Sequence, residues 1–183
     1  MADLNDLIKK LNEAADKIDQ ELPSLLLESE ITAKSLVQKR IQDEGKDKDG
    51  KKIGDYSQNK IPAFFYLGKG TKKSDVKVRK AIKEKKKLSY ADFRRLDGKQ
   101  NKFVDLTFTG QMFRDIGVTE TNNNSKEASI VIAPKTKRSE EVAGYNTERF
   151  GNFLAPSEEE LELLAEDLGD SINNILNSSL NGL

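Results

Sequence analysis

The sequence predicts an α+β protein, a short antiparallel sheet with N-terminal and C-terminal amphipathic helices packed on it. Three observations predict it. Apolar residues recur at helical spacing near both ends, as Leu4, Leu7, Ile8, Leu11, Ala14, Ala15 and Ile18 and again as Leu161, Leu164, Ala165, Leu168, Ile172, Ile175 and Leu176. Two strand-like runs, 118–121 and 128–133, flank the turn-forming Asn122-Asn123-Asn124-Ser125 and read as a β-hairpin. Between them and the basic middle of the chain, residues 103–108 alternate apolar and polar as a strand does. Thr109-Gly110 breaks the alternation, and Met112, Phe113 and Ile116 then recur at helical spacing.

Taken in order, the first helix meets Pro23, which is expected to interrupt it, with Ser24 capping a second helix to about Gln42. That second helix carries Leu27, Ile31, Leu36, Val37 and Ile41. Residues 1–45 thus read as an N-terminal helical segment, 46–176 as an α+β domain with a basic insertion at 62–87, and 177–183 as a flexible tail. The stretch 45–54 is a turn built on Asp49-Gly50. Its Asp47 and Asp49 do not make a calcium loop, because the first ligand position would be Gly45 and the closing carboxylate would fall on Tyr56. Ile61, Ala63, Phe64, Phe65, Tyr66 and Leu67 form an apolar run, a short strand or a hydrophobic anchor. Residues 68–74 lack the order of a phosphate-binding loop and read as a basic loop before a helix capped by Ser74. A lysine-rich helix over 75–87 has sparse apolar positions, Val76, Val78, Ala81 and Ile82. Tyr90, Phe93 and Leu96 form another stripe, and their spacing favours core packing over base stacking. Leu106, Phe108, Met112, Phe113 and Ile116 are the expected core of the strand–turn–helix segment. Residues 134–141 read as a mobile loop. Ser157 and Glu160 form a capping box at the start of the last helix.

Composition narrows the function. Only 36% of the 183 residues are hydrophobic and 34% are charged, which suits an elongated protein that gains contacts by assembling. Cys and His are both absent, so disulfides, thiolate chemistry and histidine ligands or triads are excluded. The densest carboxylates, Glu158, Glu159 and Glu160, sit where a helix dipole already accounts for them. No catalytic residue, metal or cofactor is expected. No apolar run is long enough to span a bilayer, and the first residues lack the pattern of a signal peptide, so synthesis in a cytoplasm is the expectation. The charge balance is zero overall but uneven. Residues 46–87 carry 15 basic and 5 acidic side chains, net +10, whereas 139–183 carry 1 and 10, net −9. The basic side chains Lys69, Lys72, Lys73, Lys83, Lys85, Lys86 and Lys87, with Lys135, Lys137 and Arg138, are the candidates to face a neighbouring subunit or DNA.

The segment Leu106-Thr107-Phe108-Thr109-Gly110-Gln111-Met112 resembles the "L-T-G-x-M" landmark of the virion-morphogenesis and tail-completion proteins of tailed phages, the Mu G-like group and the related HK97-type head–tail connector proteins. Its flanks are similar in order: Asp49-Gly50-Lys51-Lys52 in place of a "P-D-G-x-x-W" turn, then Leu96-Asp97-Gly98-Lys99, a hairpin, Tyr145-Asn146, and Arg149-Phe150-Gly151-Asn152-Phe153-Leu154 before Ser157-Glu158. The resemblance implies a connector-like domain over 46–176 and a virion location at the head–tail junction or tail. It also implies a homo-oligomeric ring, hexamer or dodecamer, that meets the portal and neighbouring neck or tail proteins. The lysine-rich segment and the loop at 134–141 would then project from the ring toward a neighbour, the portal or the DNA. The competing expectation is a non-virion nucleic-acid-binding protein that uses the lysine-rich segment 69–87.

Overall fold

A computed structural model describes residues 4–107, 109–123 and 127–180. The fold is α+β: helices at both ends and two short antiparallel two-stranded sheets. Helix α1 (Leu4–Lys39) runs about 54 Å at 1.5 Å per residue. It lies antiparallel to α6 (Glu158–Leu180), with the end of α1 beside the start of α6. Pro23 lies inside α1 and does not end it, and Ser24 is an exposed interior residue, not a cap. A helix-interior proline costs about 3 kcal/mol through a lost hydrogen bond and a ring clash. Packing of one apolar stripe along α6 over many turns offsets it, as tertiary contacts commonly outweigh propensity. A π-helical turn (Arg40–Glu44) follows α1.

The chain then closes the expected turn. Asp47 accepts from the amides of Asp49 and Lys51, and the Gly50 amide donates to the Asp47 carbonyl. Strand β1 (Ile61–Pro62) pairs with β2 (Lys87–Leu88). Between them lie a 3₁₀ turn (Ala63–Tyr66) and α2 (Lys72–Lys83), and α3 (Tyr90–Leu96) follows. Helix α2 begins three residues earlier than its sequence signal, because Thr71 and not Ser74 is the cap: the Thr71 hydroxyl accepts from the Ser74 amide. Ser89 and Asp92 form a reciprocal capping box on α3.

Residues 103–107 are irregular, contrary to the expected strand. Polar side chains hold the backbone groups that a ladder would need. The Asp105 carboxylate accepts from the Thr107 amide, and Arg94 takes the Thr107 carbonyl. Phe108 lies outside the described residues. Gly110, at φ 73°, then turns the chain into α4 (Gln111–Asp115), a left-handed position that suits glycine.

Helix α4 feeds straight into the expected hairpin, β3 (Ile116–Asn123) and β4 (Ala128–Pro134). A bulge at Thr119 shifts the register between Val118 and Glu120. The tip, residues 124–126, lies outside the described residues. The stretch expected to be a loop at 134–141 is instead the approach and first turns of α5 (Lys137–Phe150). Its cap is the Thr136 hydroxyl, and the Asp115 carboxylate accepts from both Thr136 and Ser139, which pins the start of the helix to the end of α4. At the other end of the chain, α6 continues through Leu180, so residues 177–180 are helical and not a flexible tail. Among the described residues no helix is long and apolar enough to cross a membrane.

The core is divided into three clusters. The first gathers Val37, Ile41, Met112, Phe113, Ile116, Ala143 and Phe153 beneath α1 and the hairpin. The second is Tyr56, Ala91 and Val104, and the third is Tyr66, Val78 and Phe93 inside the basic lobe formed by β1, β2, α2 and α3. Ile53 and Leu106 pack on both of the first two clusters, and Tyr90 on both the second and the third.

Candidate assembly surface

Two buried ion pairs set the positions of the elements that carry the surface. Arg94, 1% exposed, donates through Nη2 to Asp105 Oδ2 at 2.7 Å and through Nε to the Gln100 carbonyl at 2.8 Å. Its guanidinium also lies 4.3 Å from the centre of the Tyr56 ring. The Tyr56 hydroxyl donates to Asp105 Oδ1 at 2.6 Å. Burial, reinforced by this contact with Asp105, pushes the Tyr56 phenol well above its ordinary range. The network ties α3 to the irregular segment before α4. The second pair joins the π-helical turn after α1 to the start of α6: Arg40 Nε donates to Glu160 Oε1 at 2.8 Å, while its Nη2 reaches the Ala155 carbonyl at 2.8 Å. Glu160 also completes the capping box foreseen in the sequence, its Oε2 accepting from the Ser157 amide and the Ser157 hydroxyl accepting from the Glu160 amide.

Of the expected core residues, Met112, Phe113 and Ile116 are brought together in the first cluster and Leu106 packs against it. Leu106 does so from a left-handed backbone, φ 52°, that costs a side-chain-bearing residue about 1–2 kcal/mol.

The basic lobe presents Lys69, Lys72, Lys73, Lys83, Lys85, Lys86 and Lys87, all exposed. Lys86 pairs with Glu84 at 2.6 Å. The loop at 68–74 that superficially suggests a phosphate site holds one of the protein's own carboxylates: Asp97 Oδ1 accepts from the Thr71 amide at 2.6 Å, and Lys99 Nζ lies 2.8 Å from Oδ2. Burial works to raise the Asp97 pKa, but the Lys99 contact and the Thr71 and Ser74 donors outweigh it and hold the carboxyl well below the usual range. Gly70 is required here because a Cβ would collide with the Ser74 hydroxyl and with Asp97 Oδ1. Lys135, Lys137 and Arg138 are exposed in a different part of the fold, the approach to α5 and its first turn, where Lys135 lies over Gly117 and Arg138 pairs with Glu141 at 3.6 Å. The charged candidates therefore belong to two separate parts of the fold.

The apolar run at 61–67 resolves into an anchor more than a strand. Tyr66 is buried, but Phe64 and Phe65 are 56% and 51% exposed and stack on each other with ring centres 4.3 Å apart. At the far end of the chain of clusters, a half-open groove of about 480 Å³ lies between α1, the hairpin and the first half of α6. Val37, Phe113, Ile116 and Ile132 line its floor, and Leu161, Leu164, Ala165 and Leu168 of α6 line one wall. Lys34 faces it too, but its Nζ donates to the Ile116 carbonyl at 2.6 Å. Along the exposed side of that wall run Glu158, Glu162 and Glu166, one helical turn apart. Further out on α1, Leu4, Ile8 and Leu11 leave a second apolar stripe open.

Neither the groove nor the two buried arginine pairs are visible in the sequence. The pairs span 11 and 120 residues, so no local spacing reports them. The groove had a partial signal: Leu161, Leu164, Ala165 and Leu168, which line it, belong to the apolar stripe of α6. No protein-family model matches the chain, and neither does a curated protein or a solved structure.

Proposed function

We propose that this chain is a structural protein of a tailed-phage virion that assembles as a ring at the head–tail junction, joining portal or head to tail. The observation that carries the reading is the amount of organised apolar surface left open on a highly charged chain: the groove under α6, the Phe64–Phe65 pair and the Leu4, Ile8, Leu11 stripe. Monomeric soluble proteins rarely leave contiguous apolar patches of this kind uncovered, and such patches mark interaction sites. The opposed charges of the two halves support subunit-to-subunit contact, since a block of net +10 and one of net −9 on the same chain complement each other between copies. The sequence likeness around Thr109-Gly110 supplies the virion setting. In this role the protein acts through packing and charge complementarity, not catalysis.

Multi-angle light scattering of the purified chain, alone and mixed with purified portal, tests the proposal. A closed oligomer of defined stoichiometry, or co-elution with portal, is expected. A chain that stays monomeric at high concentration and never joins portal would sink it.

A further inference from the structure

Resting on the ring reading, we infer that neighbouring subunits join head to tail. The Phe64–Phe65 knob of one copy seats in the apolar groove between α1, the hairpin and α6 of the next, and the lysines of the lobe face the glutamates of that α6.

Four observations carry this. The knob is built for contact: two stacked rings are held outward by a 3₁₀ turn whose fourth residue, Tyr66, is locked into the third cluster against Phe93. Outward aromatic pairs on a rigid turn are the side chains that anchor interfaces. The groove offers the complementary shape, an open apolar volume of about 480 Å³, ample for two phenyl rings. The surrounding charges match. Lys69 follows the knob, and Lys72 and Lys73 open α2, which packs on the knob's turn, whereas α6, whose apolar face forms one wall of the groove, carries the exposed Glu158, Glu162 and Glu166. Finally, knob and groove belong to opposite ends of the chain of clusters, the third and the first. Two different patches at opposite ends of one subunit make a heterologous contact, and repeated heterologous contacts close into rings when the rotation allows. An isologous dimer would instead need one patch to meet itself, and the lysine-rich knob facing a second lysine-rich knob would be repelled.

The chain has no Cys, so single cysteines report the contact cleanly. Phe65→Cys and Leu161→Cys, each made in a separate full-length copy, are mixed and oxidised. Disulfide-linked heterodimer is expected between the two variants, with little homodimer of either. In parallel, Phe65→Asp should weaken wild-type self-association at least about tenfold, as loss of a central aromatic does. Its circular dichroism should be unchanged, because Phe65 is exposed. If the wild type assembles but the mixed Phe65→Cys and Leu161→Cys variants give no cross-link and Phe65→Asp self-associates as the wild type does, the knob-in-groove contact is wrong and the ring reading stands. Homodimers of Phe65→Cys alone would replace it by an isologous contact. Duplex DNA retained by the wild type and released by Lys85→Glu, Lys86→Glu and Lys87→Glu together, with no cross-link, would assign the lobe to nucleic acid and overturn the proposal. A wild type that stays monomeric even with portal would remove the ring reading as well.

Discussion

Replacing Asp105 by Ala removes the counter-charge of the most deeply buried arginine in the protein. Arg94 is 1% exposed, so its guanidinium cannot recover the lost partner from water. Three contacts to the carboxylate vanish together, from Arg94 Nη2, the Tyr56 hydroxyl and the Thr107 amide. Breaking a buried pair by removing one partner costs about 3–5 kcal/mol, largely the penalty of an uncompensated charge. Single domains have about 5–15 kcal/mol of total stability, so this one change should consume a large part of it. Urea unfolding at pH 7, followed by far-ultraviolet circular dichroism, reads the loss directly. With a slope of about 2–3 kcal/mol per molar urea, the midpoint should fall by about 1–2.5 M. The double variant Arg94→Met with Asp105→Ala should lose less than the sum of the two single variants, by about 2 kcal/mol or more, because the stranded charge is gone. It should remain below wild type, since the Gln100 and Thr107 carbonyls lose their donor. A midpoint shift under about 0.3 M for Asp105→Ala, or strict additivity in the double variant, would refute this account of the network.

Other outcomes follow from the same structure. Gly70→Ala should destabilise the basic lobe by about 1–3 kcal/mol through overpacking against Ser74 and Asp97, seen as early loss of amide protection over 68–83 in hydrogen exchange. Tyr56 has a raised pKa in the folded state, so its contribution is fully present below the ordinary tyrosine value of about 10 and is lost as pH climbs above it. Stability should therefore decline in that alkaline window, and Tyr56→Phe should flatten the decline even though it lowers stability at neutral pH; an unchanged alkaline limb would count against it. Pro23→Ala should raise stability by up to about 3 kcal/mol, measured as a higher thermal midpoint, because α1 already runs through this position as helix.

Much of the fold was legible in the sequence because it rests on local spacing. The apolar faces of α1 and α6, the two strands of the hairpin and the Ser157–Glu160 cap all show as patterns over a few neighbouring positions, although Asn122 and Asn123, expected in the turn, are the last paired residues of β3. The misread segments share a different physics. Residues 103–107 have the alternation of a strand, but a buried aspartate and an arginine from α3 take over their backbone groups. Helix α5 begins in a charged stretch with almost no apolar period, and its start is set by Asp115, more than twenty residues upstream of Ser139. Pro23 carries the strongest local stop signal in the chain, and packing along a partner 120 or more residues away overrides it. For the candidate surface, the sequence pointed to the lysines and to an apolar anchor. The groove opposite them exists only once α1, α6 and the hairpin are brought together.

The division of the core into three small clusters has a mechanical consequence. Ile53 and Leu106 bridge the first cluster to the second, and Tyr90 bridges the second to the third. Force applied at Phe64 and Phe65 would travel to the long helices through a narrow series of side chains, not through a broad slab of packed interior. A subunit built this way is stiff within each bead and compliant between beads. In the ring proposed above, that compliance would let each lobe settle on its neighbour by small rotations while the α1–α6 pair keeps its shape.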